Sequence, residues 1–154
     1  MDNATLTHLF SFNQRALKLN LDGVSHEESV RLPASGGNSI NWVVGHIVAN
    51  RQAVLELASQ PRFWTEDQAR PYVRGSQPLS PSDARPLAEI LGDLDRSQDV
   101  LAQGFERLSP EALAAERGKS TVEAQILFLH FHEAYHIGQT GILRRLIGKP
   151  GAIR

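Results

Sequence analysis

The stretch Ser120–Ile147 limits what this chain can fold into more than any other. Ser120-Thr121-Val122-Glu123 reads as a capping box, in which hydroxyl and carboxylate satisfy free backbone donors at a helix start. Gly148-Lys149-Pro150-Gly151 stops the same helix. Within it, His132 and His136 stand four residues apart and so share one face, roughly 5–6 Å apart at Cβ. Two imidazoles so placed can hold one divalent metal, but they are too few for a firm site.

Three other segments keep a helical apolar period. Residues 4–22 carry Leu6, Leu9, Phe10, Phe12, Leu17, Leu19 and Leu21. Residues 40–59 are apolar nearly all round in their first half, which predicts burial between other helices. Ser39 or Asn38 caps this second helix. Residues 82–108 form the third, and Ser109-Pro110 opens a short turn after it. Residues 23–38 and 60–81 are rich in turn formers and read as linkers. The second linker carries Phe63, Trp64 and Tyr72, enough aromatic surface to fold over something, and predicts a helical turn near 65–69. No strand pattern competes. The expectation is an all-α four-helix bundle, one domain over 1–154, with a core suited to metal sites.

Composition removes several functions. The chain has 154 residues, 41% hydrophobic and 21% charged, with a formal net charge of -1. No basic run provides the footprint of a nucleic-acid binder. There is no cysteine, hence no disulfide, thiolate metal site or thiol nucleophile. The polar start Met1-Asp2-Asn3-Ala4-Thr5 does not read as a signal peptide, and no apolar run has the length of a membrane span. A cytoplasmic protein without membrane or nucleic-acid partners is expected.

The third metal ligand has to be found. His130 lies about 200° around the helix from His132 and cannot join the pair. His26 falls in a linker, where solvent is expected. His-Glu-x-x-His also spells the zincin metalloprotease motif, whose third ligand lies downstream. After His136 this chain has no His, Asp or Glu. The ligand must therefore come from upstream. His46 is the best candidate, mid-helix in an apolar setting beside Gly45, with His8 in reserve. A helix-interior glycine costs about 1 kcal/mol against alanine, so Gly45 predicts close backbone approach, expected where the second helix meets the fourth.

Asn38-Ser39-Ile40-Asn41-Trp42-Val43-Val44-Gly45-His46-Ile47 and His132-Glu133-Ala134-Tyr135-His136-Ile137-Gly138-Gln139 resemble the two signature segments of the DinB/YfiT-like superfamily. The resemblance covers nearly the whole chain. It implies a four-helix bundle with a long loop between the second and third helices, and a divalent metal on His46, His132 and His136. Zinc or nickel would suit imidazole ligands. It also implies a homodimer, and chemistry like that of metal-dependent transferases or isomerases that use a low-molecular-weight thiol.

Three functions are open on this reading. The first is a metalloenzyme that activates a thiol or water for a small-molecule substrate, as a transferase, isomerase or hydrolase. The second is a non-enzymatic metal-binding or stress-response bundle, which a fourth protein ligand would favour. The third is a zincin-like peptidase, which needs a further carboxylate ligand and a substrate-binding strand. Gln139 and Asn50, one turn from His136 and His46, are candidates to orient those rings. Glu133 is either a base near the metal or a salt-bridge partner within the bundle, the second being preferred.

Overall fold

The computed structural model describes residues 2–153; Met1 and Arg154, the ends of the expected 1–154 domain, lie outside the described residues. Four long helices form the frame: α1 (Asn3–Leu21), α3 (Ile40–Leu57), α5 (Leu87–Glu106) and α7 (Val122–Leu146). Three short ones lie between them: α2 (His26–Ser29), α4 (Glu66–Ala69) and α6 (Pro110–Ala114). The all-α bundle and its long second connection are as the sequence predicts.

Local chemistry sets most boundaries. The Asp2 carboxylate caps α1 at Thr5 N, and Ser39 caps α3 by accepting from Trp42 N. Thr65 and Gln68 form a capping box for α4, and Ser109 caps α6 with Pro110 at its first position. The fourth long helix starts later than predicted. Ser120-Thr121 pairs as strand β2 with β1 (Glu116–Arg117), and Thr121 becomes the cap by accepting from Ala124 N at 3.2 Å. Gly118, at φ 74°, turns this hairpin in a conformation that disfavours other residues. The third long helix also starts late, at Leu87, because residues 85–86 are used elsewhere. The Arg85 carbonyl accepts from Asn41 Nδ2 at 2.9 Å, its N–H donates to the Tyr72 hydroxyl at 2.9 Å, and Pro86 precedes the first turn. His26 does not stand in open solvent. It lies half-buried at α2, and its Nδ1 accepts the Leu87 N–H at 3.3 Å.

The helices pack in a square in which α7 touches α1 and α3, and α5 touches the same two from the other side. Asn13 Nδ2 donates to the His130 carbonyl and Asn20 Nδ2 to that of Ile137, so α1 and α7 run parallel. Arg51 meets Glu133 while His46 meets His136, so α3 and α7 run antiparallel. Residues 58–86 travel the length of the bundle and return the chain to the start of α5. That explains why a long excursion is needed there. One core cluster gathers Val43, Val44, Ile47, Leu94 and Ile137 with Trp64 and Tyr72 from the excursion. A second joins Leu6, Phe10, Val54, Leu101, Phe105 and Ile126 at the other end. Burial of these side chains drives assembly at about 1.5–3 kcal/mol each.

Candidate metal centre

Two faces meet where α3 crosses α7. On α3, Gly45-His46 lies in a wholly buried run. On α7, His132 and His136 point toward the same spot, half-buried and buried respectively. One ligand nitrogen from each of the three rings lies within 4.8 Å of the others. The ring centroids are 5.2 Å apart for His46–His132, 4.6 Å for His46–His136 and 4.5 Å for His132–His136.

Two of the rings are held with their Nε2 atoms inward. His46 Nδ1 donates to the Tyr72 carbonyl at 2.6 Å. His136 Nδ1 donates to Gln139 Oε1 at 2.8 Å. Such contacts select the tautomer whose Nε2 carries the lone pair that a metal would take. Trp42 stacks on His46 at 4.6 Å, nearly parallel, one turn before it. One turn after it, Asn50 Nδ2 donates to the His46 carbonyl at 2.7 Å and approaches Nε2 at 3.1 Å.

The donor set fits a divalent ion. His132 Nε2 and His136 Nε2 are 3.3 Å apart. Two nitrogens at 2.0–2.1 Å from a tetrahedral zinc would be separated by about 3.3–3.4 Å. The rings are also kept neutral, as ligands must be. Burial, aided by the two other imidazoles, pushes the His46 pKa from 6.5 down to about 4, against the raising effect of the Tyr72 carbonyl. Burial, then His136, lowers that of His132 while Glu133 opposes; burial lowers that of His136 while Gln139 opposes.

Gly45 serves a different neighbour from the one expected. α3 does pack along α7, but the space beside Gly45 holds the ring of Tyr72, which any Cβ there would overlap. The excursion therefore buries its tyrosine on the glycine and delivers its carbonyl to the next residue, His46. Nothing in the spacing of residues 60–81 identifies Tyr72 as that partner.

The remaining histidines stay apart. His130 sets its ring edge-on to Phe10 at 5.5 Å, His8 bonds to the Ala4 carbonyl at 2.8 Å, and His26 serves α5. Glu133 faces away from the triad. It is 3% exposed and accepts two hydrogen bonds from Arg51, at 2.9 and 2.8 Å. Arg51 itself is fully buried and also reaches Ser97 Oγ, Gln14 Oε1 and two carbonyls. The carboxylate that a zincin would use as its base is thus tied into the bundle. The sheet among the described residues is a hairpin of two strands, two residues each, that offers no substrate-binding strand beside the triad.

A cleft of about 300 Å³ opens at His46 and His132. Its walls include Arg62, Val73, Arg74 and Phe128, and no carboxylate lines it. No helix among the described residues is long and apolar enough to cross a membrane.

The family model of the DinB superfamily matches residues 9–140, a span that holds both signature segments and the whole triad. The chain belongs to the DinB superfamily. The fold agrees with that of a conserved protein from Enterococcus faecalis, with a TM-score of 0.76 at 15% identity over 96% of this chain and 98% of that one. At that identity the likeness concerns the fold alone. No curated protein matches the chain significantly. Membership in the DinB superfamily and a histidine triad able to hold a metal ion are therefore both features of this protein.

Proposed function

We propose that residues 1–154 act as one DinB-like domain and a metal-dependent enzyme, with His46, His132 and His136 as ligands of a single zinc or nickel ion. The observation that carries this reading is the convergence of three neutral imidazoles, two of which (His46 and His132) line a cleft, with no fourth His, Asp or Glu joining them among the described residues. Three protein ligands with a position left for a small molecule is the catalytic pattern, whereas structural sites are closed by a fourth protein ligand. The ion would supply Lewis acidity, lowering the pKa of a thiol or water that occupies the open position.

The chain's own residues do the rest. Tyr72 and Gln139 hold the His46 and His136 rings in orientation through their Nδ1 atoms. Trp42 covers the inner face of His46 and keeps water from it. Phe128 and Val73 provide apolar wall for a substrate body. Arg74, with Arg62 beside it already paired to Glu56 at 3.6 Å, gives the cleft positive charge, which suits an anionic small molecule such as a carboxylate-bearing thiol. The reaction class on this reading is thiol-dependent transfer or isomerisation, or hydrolysis.

The test has two stages. Protein purified without an affinity tag and supplied with metal is analysed for zinc and nickel; close to one equivalent is expected, and less than about a tenth would remove the site. Loaded and metal-stripped protein are then compared with low-molecular-weight thiols and electrophilic acceptors, and with hydrolysable esters and amides. Turnover only in the loaded protein supports the enzyme. Full metal occupancy with no turnover across the screen would favour the metal-binding bundle instead.

A further inference from the structure

Residues 73–76 of the excursion form a tied turn in the wall of the cleft. The Ser76 N–H donates to the Val73 carbonyl at 3.1 Å and Gly75 has φ 82°, which makes a β-turn of the kind that takes glycine at its third position. Both ends are anchored. Before the turn, Tyr72 is buried on Gly45 and its carbonyl accepts from His46. After it, the Ser76 hydroxyl accepts from Trp42 Nε1 at 3.1 Å and donates to the Pro71 carbonyl at 2.9 Å. Trp42 is the ring stacked on His46. The turn and the ligand histidine are therefore held by the same tyrosine and the same tryptophan.

Arg74 stands at the second position of this turn and lines the cleft together with His46 and His132. Its side chain has no ion pair or hydrogen bond among the described residues, whereas Arg62 in the same wall is drawn to Glu56. An exposed arginine without a partner is ordinary on a protein surface. This one is set apart by its place, on an anchored turn in a cleft that two ligand histidines share and no carboxylate lines. We propose that Arg74 is the specificity-determining residue of the cleft and binds the carboxylate of a small ligand whose other end lies at His46 and His132. The inference rests on the metal-enzyme reading above and adds to it the group by which the ligand is selected.

Three physical points support it. The planar fork of a guanidinium matches a carboxylate through two parallel hydrogen bonds, which an ammonium cannot do. A cleft of about 300 Å³ is at the small end of ligand sites, so one compact molecule can touch both the arginine and the histidines. The turn is already fixed by the Val73, Ser76 and Trp42 bonds, so binding does not have to order the backbone that carries Arg74. One unpaired guanidinium also balances the single charge of a carboxylate, whereas a phosphate dianion would leave charge over. Phe128, whose ring is 6.3 Å from that of His132, and Val73 supply the apolar wall for the ligand's body.

Zinc-loaded protein is titrated calorimetrically with β-mercaptopropionate and with its amide, which keeps the thiol and removes the charge. The wild type is expected to prefer the carboxylate by about 10-fold at low ionic strength, a preference that shrinks as salt is added. Arg74→Gln is expected to bind the two probes alike, and Arg74→Lys to keep part of the preference. Ser76→Ala, which leaves Arg74 in place but unties its turn, is expected to lower it. A purely structural role for Arg74 would change both affinities together and leave their ratio unmoved. Equal binding of the two probes by the wild type, binding of neither, or a preference that survives Arg74→Gln would overturn the proposal. So would tighter binding of the corresponding phosphonate than of the carboxylate. Zinc is measured in every sample before and after titration. Close to one equivalent with no preference removes the role of Arg74 alone, whereas less than about a tenth of an equivalent removes the metal reading on which it rests.

Discussion

The ring of Tyr72 lies where a side chain at Gly45 would have to be, and the carbonyl of the same tyrosine accepts the Nδ1–H of His46 at 2.6 Å. The tyrosine hydroxyl is anchored in turn, donating to Asn41 Oδ1 at 3.2 Å and accepting the Arg85 N–H at 2.9 Å. The bare helix face at Gly45 and the aim of the neighbouring imidazole are thus one feature. Gly45→Ala should overpack this contact and cost about 1–3 kcal/mol. Denaturant unfolding checks the loss, and metal titration should show weakened binding although no ligand has been touched.

His46→Ala should weaken metal binding by far more than the roughly 10–100-fold typical when only a supporting hydrogen bond is lost. Gln139→Ala removes such a bond from His136 and should fall within that range. His130→Ala and His26→Ala should leave affinity unchanged, because neither ring reaches the centre. Competition with a chromogenic chelator measures all four.

Glu133 and Arg51 form the buried ion pair that locks α7 against α3. Arg51→Met would leave the carboxylate buried without its partner and should destabilise by about 3–5 kcal/mol. Glu133→Gln should also lower the melting temperature while metal stays bound. If Glu133→Gln kept stability but abolished turnover with metal in place, the carboxylate would be a base and the structural assignment wrong.

The metal-stripped protein should lose stability on mild acidification. Burial lowers the His46 pKa from 6.5 to about 4, so between those values the unfolded chain takes up a proton that the folded one refuses. The contribution is complete above about pH 6.5 and disappears as pH falls toward about 4. The lowered pKa values of His132 and His136 act in the same direction. Chemical denaturation from pH 7.5 to 4.5 should show the decline, reduced in His46→Ala.

Much of this architecture was legible in the sequence because it follows from local rules. Apolar spacing gave the four long helices, Ser109 and one of the pair Asn38 and Ser39 marked helix starts, a helical turn was expected near 65–69, and the i, i+4 spacing put His132 beside His136. The choice of His46 over His8 followed from its apolar setting and was strengthened by the family resemblance. The capping box at Ser120 failed because a strand pairing between Glu116–Arg117 and Ser120–Thr121 used that residue first. The start of the third helix failed because Asn41 and Tyr72, distant in sequence, hold Arg85 out of it.

What the chain by itself determined was which residues form helices and which side chains are chemically able to bind a metal, since both depend on neighbours within a turn or two. Tertiary structure alone decided what touches what. Whether Gly45 faced α7 or the excursion depended on where residues 58–86 cross the bundle. Whether Glu133 faced the metal or the core depended on Arg51, 82 positions earlier, entering the bundle at the same level. The apolar set Phe128, Phe131, Tyr135 and Ile142 on α7 could be counted as core-forming from its letters. Only the packing of α1 and α3 against the opposite side shows that it remains outside. A periodic pattern defines a face, but the surrounding helices determine whether that face is buried.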